Sequence, residues 1–220
     1  MKNLKLILKV VIALTVVLGV ILFLKKDQVL EYYETRYARD MDIIRLNGLK
    51  DLGLLFEEYE RSVGGYPFGS NRELASIVFI ATKEQNKYTK TAIKPDFPHQ
   101  VIGVKGLIDE IERVLGREIL MPFDPQRVPL FRPNFYVYTT SDGGFFLTIS
   151  LYGEYSFATT VSKNYSLMTL SSETDSFESQ WTIDDLLTHP DFLDAVAEEL
   201  NKPRYVEKLR KKLAKKGLLF

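Results

Sequence analysis

Along this chain the hydrophobic positions first run unbroken, then settle into a helical stripe, and finally switch to alternation. Residues 6–24 (LILKVVIALTVVLGVILFL) form a run of 19 with a single charge, Lys9. At about 1.5 Å rise per residue such a helix is about 28 Å long, close to the roughly 30 Å hydrocarbon core of a bilayer. No proline falls between Met1 and Val63, so the helix is expected to continue out of the membrane as a rod. From Tyr37 onward Met41, Ile44, Gly48, Leu52, Leu55 and Tyr59 recur at helical spacing, and Leu49 and Phe56 widen the stripe. Asp42, Arg45, Lys50, Asp51, Glu57, Glu58 and Arg61 fall on the opposite, polar face. Gly48 and Gly53 each cost about 1 kcal/mol relative to Ala inside a helix, and the close approach of another backbone would account for them. Gly64-Gly65-Tyr66-Pro67 then supplies a glycine C-cap and a proline stop.

Ser70 and Asn71 can cap a second helix over about residues 72–84, with Leu74, Ile77, Val78 and Ile80 as its apolar positions. After a polar loop, a third helix is predicted over 104–115, with Leu107, Ile108, Ile111, Val114 and Leu115 on one side and Gly116 ending it. Met121-Pro122-Phe123-Asp124-Pro125 is a rigid bend, and beyond it the period changes. Residues 134–140 and 145–152 flank a Ser-Asp-Gly-Gly turn and read as a hairpin. Segments 155–161 and 165–170 extend it to a meander of four short antiparallel strands. The apolar face built on Phe145, Leu147, Ile149 and Leu151 needs a cover, and the stripe of the first helix is the natural one.

Helix returns at the end. Thr182-Ile183-Asp184-Asp185 resembles a capping box. Pro190 opens a helix with Phe192, Leu193, Val196 and Leu200 on one face, and Pro203 opens another with Tyr205 or Val206, Leu209 and Leu213 as its stripe. The expected fold class is α+β: a long N-terminal membrane-spanning helix packed on a small antiparallel β-sheet, with additional C-terminal helices. The expected organisation is a transmembrane signal anchor over 1–27, a domain of helix plus four-stranded sheet over 28–181, and a basic helical tail over 182–220.

Charge refines this picture. The chain has 220 residues and no net charge, yet its ends and middle differ. Lys2, Lys5, Lys9, Lys25, Lys26 and Asp27 give the anchor's flanks +4, and residues 202–220, with eight Lys or Arg and one Glu, carry +7. The middle, 28–201, therefore carries −11, which argues against a nucleic-acid-binding body. No cysteine is present, so disulfides, thiolate catalysis and Cys-based zinc sites are excluded. Lys25-Lys26-Asp27-Gln28 follows the apolar run with no small-x-small cleavage site, so an uncleaved anchor is expected. Basic residues on its two sides are nearly balanced. The short N-terminal tail favours N-inside, placing the chain in the cell membrane as a single-pass protein with an extracytoplasmic domain.

The layout resembles type IV pilins and type II secretion pseudopilins. The likeness is carried by Arg45, Leu49, Leu52, Phe56-Glu57 and Tyr59 closing on Gly65-Tyr66-Pro67, by Leu120-Met121-Pro122-Phe123-Asp124-Pro125 before the sheet, and by Phe135-Tyr136-Val137-Tyr138 with the Asp142-Gly143-Gly144 turn and Phe146-Leu147. It covers about residues 6–181. The resemblance implies a structural or assembly subunit of a type II secretion or type IV pilus-like system, with the bilayer and other pilin-like subunits as partners. It also implies an N-terminal glycine for prepilin peptidase and a glutamate within the membrane run. Leu8-Lys9-Val10-Val11-Ile12-Ala13 has neither. The alternative is a membrane-anchored extracytoplasmic binding or accessory module with the same fold that does not polymerise.

No catalytic constellation is expected, and no enzyme activity or cofactor. His99 and His189 each lie beside a proline in a presumed loop without a second ligand at helical or hairpin spacing. Asp142 in the Ser-Asp-Gly-Gly turn fits hairpin chemistry. The single metal candidate is the oxygen-rich stretch holding Ser172, Glu173 and Asp175, read either as a calcium loop or as a solvated acidic loop. Major pseudopilins carry a calcium loop late in the sheet before a tryptophan, and Trp181 falls there, although their paired aspartates do not. The tail's Arg204, Lys208, Arg210, Lys211, Lys212, Lys215 and Lys216 suit anionic lipid, with Leu209, Leu213 and Leu218 inserted, or else a solvated helix packed on the domain by its narrow stripe.

Overall fold

The computed structural model describes residues 26–69, 74–83, 85–89, 97–123, 135–141, 144–162, 165–172 and 180–200. Contacts divide the chain into two compact units, Met1–Arg39 and Asp40–Phe220. Of the first unit, the described part is helix. Helix α1 spans Lys26–Val63 and stops where the sequence places its stop. Gly64 takes the left-handed conformation at φ 73°, which L side chains resist, and its N–H donates to Glu60 O at 2.7 Å. Residues 6–24 lie outside the described part of the chain. Among the described residues no helix is long and apolar enough to cross a membrane.

The second unit is a mixed α+β domain. After α1 come β1 (Ala75–Ile80), α2 (Asn86–Thr89), β2 (His99–Ile102), α3 (Val104–Leu115), β3 (Tyr136–Ser141), β4 (Gly144–Leu151), β5 (Thr159–Ser162), β6 (Tyr165–Ser171), β7 (Gln180–Trp181), α4 (Ile183–Thr188) and α5 (Pro190–Leu200). The sheet has seven strands in the order β2-β1-β3-β4-β6-β5, with β7 also on β6. The β1–β2 and β6–β7 pairs are parallel and the others antiparallel.

Four expectations are corrected here. The predicted second helix is strand β1, because its Ile77-Val78-Phe79-Ile80 core is rich in β-branched residues and is shielded on both faces of the sheet. The four strands are not a simple meander. Cross-strand pairs Leu147↔Leu170 and Ile149↔Met168 join the apolar faces of β4 and β6. The wholly exposed β5 is left at the edge, and Tyr155 to Ala158 form a turn closed by Ala158 N–H to Tyr155 O at 3.1 Å. The sheet is also larger than expected and mixed rather than antiparallel throughout. His99 belongs to a strand instead of a loop.

Period 2 explains the core. Tyr136 and Tyr138 of β3, Phe145, Leu147, Ile149 and Leu151 of β4, and Met168 and Leu170 of β6 project to one face, where Leu46, Leu49, Leu52 and Phe56 of α1 cover them. Leu107 and Ile111 of α3 join the same core, as do Ile183 and Leu186 of α4 and Phe192 and Val196 of α5. The first helices after Trp181 are thus packed into the domain. The N-terminus of α4 is capped as predicted: Thr182 Oγ1 accepts from Asp185 N at 3.1 Å and donates to Asp185 Oδ2 at 2.7 Å. The helix expected after Pro203 lies outside the described residues.

Candidate functional site: the junction of the first helix and the sheet

Asp42 and Arg45, one helical turn apart on α1, are 0% and 1% exposed, and Arg45 Nη1 donates to Asp42 Oδ1 at 2.7 Å. The carboxylate also accepts the Tyr152 N–H at 2.9 and 2.7 Å, the Gly153 N–H at 2.7 Å and the Tyr155 hydroxyl at 3.4 Å. One helical side chain therefore satisfies the backbone of the chain reversal after β4. Burial raises the Asp42 carboxyl above its ordinary value, and Arg45 and the two amides pull it back. Asp42 and Arg45, placed by the sequence on the polar face opposite the stripe, are therefore part of the buried interior. The missed signal was local. Met41, Ile43, Ile44 and Leu46 surround the pair with apolar positions on every side, as in a helix buried all round.

One turn on, Gly48 makes room for Tyr136. A Cβ at residue 48 would stand 2.0 Å from Tyr136 Oη, and that hydroxyl donates to Arg45 O at 3.1 Å. At Gly53 the neighbour is Ile183 Cδ1, at 2.9 Å. Both glycines thus admit side chains, not the backbone that the sequence suggested.

An aromatic cluster anchors the far end of α1. Phe56 lies 4.5 Å from the Tyr138 ring and 5.5 Å from Phe145, and Tyr66 lies 4.7 Å from Phe145. The Tyr138 hydroxyl donates to Pro67 O at 2.9 Å. It thereby braces a turn in which Phe68 takes a φ of 61°, unusual for a non-glycine residue. Burial pushes the Tyr138 phenol far above its ordinary range. Tyr59 donates to Glu110 Oε1 at 2.6 Å, tying α1 to α3. Burial and then Glu110 push that phenol up to about 12, while hydrogen bonds from Arg113 and Tyr59 hold the Glu110 carboxyl down against burial.

Chemically, the junction fixes backbone and positions the helix under the sheet. The residues singled out as candidate sites lie elsewhere. Ser172 closes one end of the sheet, its Oγ accepting the Phe145 N–H at 3.0 Å and its own N–H donating to Phe145 O at 3.2 Å. Glu173, Asp175 and Asp142 lie outside the described residues. His99 begins edge strand β2, with Nδ1 2.9 Å from Phe97 O. His189 joins α4 to α5, edge-on to Trp181 at 5.0 Å and Phe157 at 5.8 Å, and its Nδ1 is buried without a hydrogen-bond partner. Among the described residues no three His, Cys, Asp or Glu side chains are grouped to hold a metal. Compared with known protein families, curated proteins and solved structures, the chain finds no match.

Proposed function

We propose that this chain is a membrane-anchored pilin- or pseudopilin-like structural subunit of a type II secretion or type IV pilus-like assembly. One observation carries the reading: Leu49, Leu52 and Phe56 of α1, the helix that follows the apolar run, lie in the core beneath β3, β4 and β6. In this arrangement the helix serves as the spine of the domain, and residues 6–24 supply the bilayer span and the lateral contacts. The domain works outside the cytoplasm through its surfaces rather than through catalysis. The absence of glycine and of an acidic residue from Leu8-Lys9-Val10-Val11-Ile12-Ala13 favours a second reading, an anchored accessory module that does not polymerise.

Because the chain has no cysteine, introduced thiols report alone. Ala13→Cys with Thr15→Cys places two thiols on opposite sides of the predicted span. Oxidation in native membranes is expected to give a ladder of trimers and larger species. A product that stays monomeric would leave the accessory module as the reading. Intact mass should retain residues 1–24, whereas a mature terminus near Val10 or Ile12 would show processing after all.

A further inference from the structure

The outer face of α4 and α5 is acidic, partly apolar and uncovered. Asp184, Asp185, Asp191 and Asp194 are exposed, and none forms an ion pair among the described residues. Asp185 is engaged by Thr182, and Asp191 accepts the Ser156 hydroxyl. Leu193 stands among them 42% exposed, although Phe192 and Val196 on the inner side of α5 are buried. Like charges crowd here: Glu57 of α1, half-buried, is pushed up by burial and then by Asp184.

The sequence supplies a counterpart in the same chain. Between Ser172 and Asn201 there are nine Asp or Glu and no Lys or Arg, and residues 202–220 then carry +7. α5 is 11 residues long, about 16 Å at helical rise. Asn201, Lys202 and Pro203 follow it, a connector of the length that joins two antiparallel helices. The 13 residues 204–216 would span about 20 Å as a helix, enough to return along all of α5.

We propose that residues 204–216 fold back on this face as the antiparallel partner of α5. Leu209 and Leu213 pack over Leu193, and Arg210 to Lys212, with Lys215 and Lys216 beyond them, come level with the aspartates of α4 and α5. Each exposed ion pair is weak, so the docking depends on several together and weakens with salt.

The test uses the full chain in nanodiscs of zwitterionic lipid, read by hydrogen–deuterium exchange over 183–196 and 204–216. Both segments are expected to be protected in the wild type. Arg210→Glu with Lys211→Glu and Lys212→Glu, or 0.5 M salt acting on the unaltered chain, should speed exchange in both by on the order of tenfold. That acceleration should not depend on protein concentration. Three results overturn the proposal: exchange over 183–196 that ignores both perturbations, protection that appears only as concentration rises (a second copy), or protection of 204–216 that requires nanodiscs containing phosphatidylglycerol (a lipid surface).

Discussion

A methyl group at residue 48 sets the preference of a helix against the packing of the domain. In a helix interior Ala is favoured over Gly by about 1 kcal/mol, so local propensity alone predicts that Gly48→Ala stabilises. The structure reverses the sign. The new Cβ would meet Tyr136 Oη at 2.0 Å, Tyr136 Cζ at 2.9 Å and Pro122 Cβ at 3.1 Å. Tyr136 is 1% exposed in the middle of the sheet, and its hydroxyl is held by Arg45 O, so it has nowhere to move. Overpacking of a filled core costs about 1–3 kcal/mol, and displacing a buried hydrogen bond about 1 kcal/mol more. The net expectation is a loss of about 1–3 kcal/mol, read as a lower urea midpoint at unchanged slope. Trp181, the single tryptophan, provides the fluorescence signal in detergent micelles. Tyr136→Phe deletes the atom at 2.0 Å, so adding it to Gly48→Ala should restore part of the loss. Gly53→Ala meets the flexible ends of two side chains, Ile183 Cδ1 at 2.9 Å and Leu170 Cδ1 at 3.5 Å, and should be close to neutral. A Gly48→Ala protein more stable than the wild type would refute the packing described at the junction.

Leu52→Ala, at a fully buried position, should cost about 2–5 kcal/mol, whereas Glu58→Ala, whose partner Arg117 is exposed, should shift the same curve by less than about 0.5 kcal/mol. Asp42→Ala removes the acceptor of two buried backbone amides and one charged partner of Arg45, and should cost about 3 kcal/mol or more by urea denaturation. Because the folded Asp42 carboxyl is raised above 3.8, its contribution to stability is fully present below about pH 4 and is lost as pH rises through the folded value. The wild type should carry that slope, and Asp42→Ala should lack it. Tyr59 behaves similarly at the alkaline end. With its phenol raised from 10.0 to about 12, the unfolded chain ionises first, so stability should fall between those pH values. Tyr59→Phe should remove this decline, and an equal alkaline decline in both proteins would show that burial and the Glu110 contact do not hold the phenol protonated.

The junction itself was half legible. Met41, Leu49, Leu52, Phe56 and Tyr59 announce a buried stripe by spacing alone, and they are buried. Asp42 and Arg45 read as polar-face residues because their charge outweighed the apolar neighbours Met41, Ile43, Ile44 and Leu46. Their partners, the amides of Tyr152 and Gly153, lie more than a hundred residues away, and no helical periodicity could point to them. Ser172 read as part of either a calcium loop or a solvated acidic loop, and its hydroxyl accepts the Phe145 N–H at the sheet's end, a contact no local pattern indicates.

By itself the sequence determined what neighbouring residues settle among themselves. The stop of α1 at Gly64, the span and Gly116 cap of α3, the β3–β4 hairpin and the Thr182 cap all stand where local chemistry puts them. Only the tertiary structure decided the rest. The short apolar run at residues 74–80 fits a helix or a strand equally by period, and it became β1 because β3 offered a backbone ladder on one side and β2 on the other. The order of β4, β5 and β6 was likewise a contest among distant segments. The strand with most apolar surface to hide won the place beside β4, because burying that surface releases more free energy than any short turn can contribute.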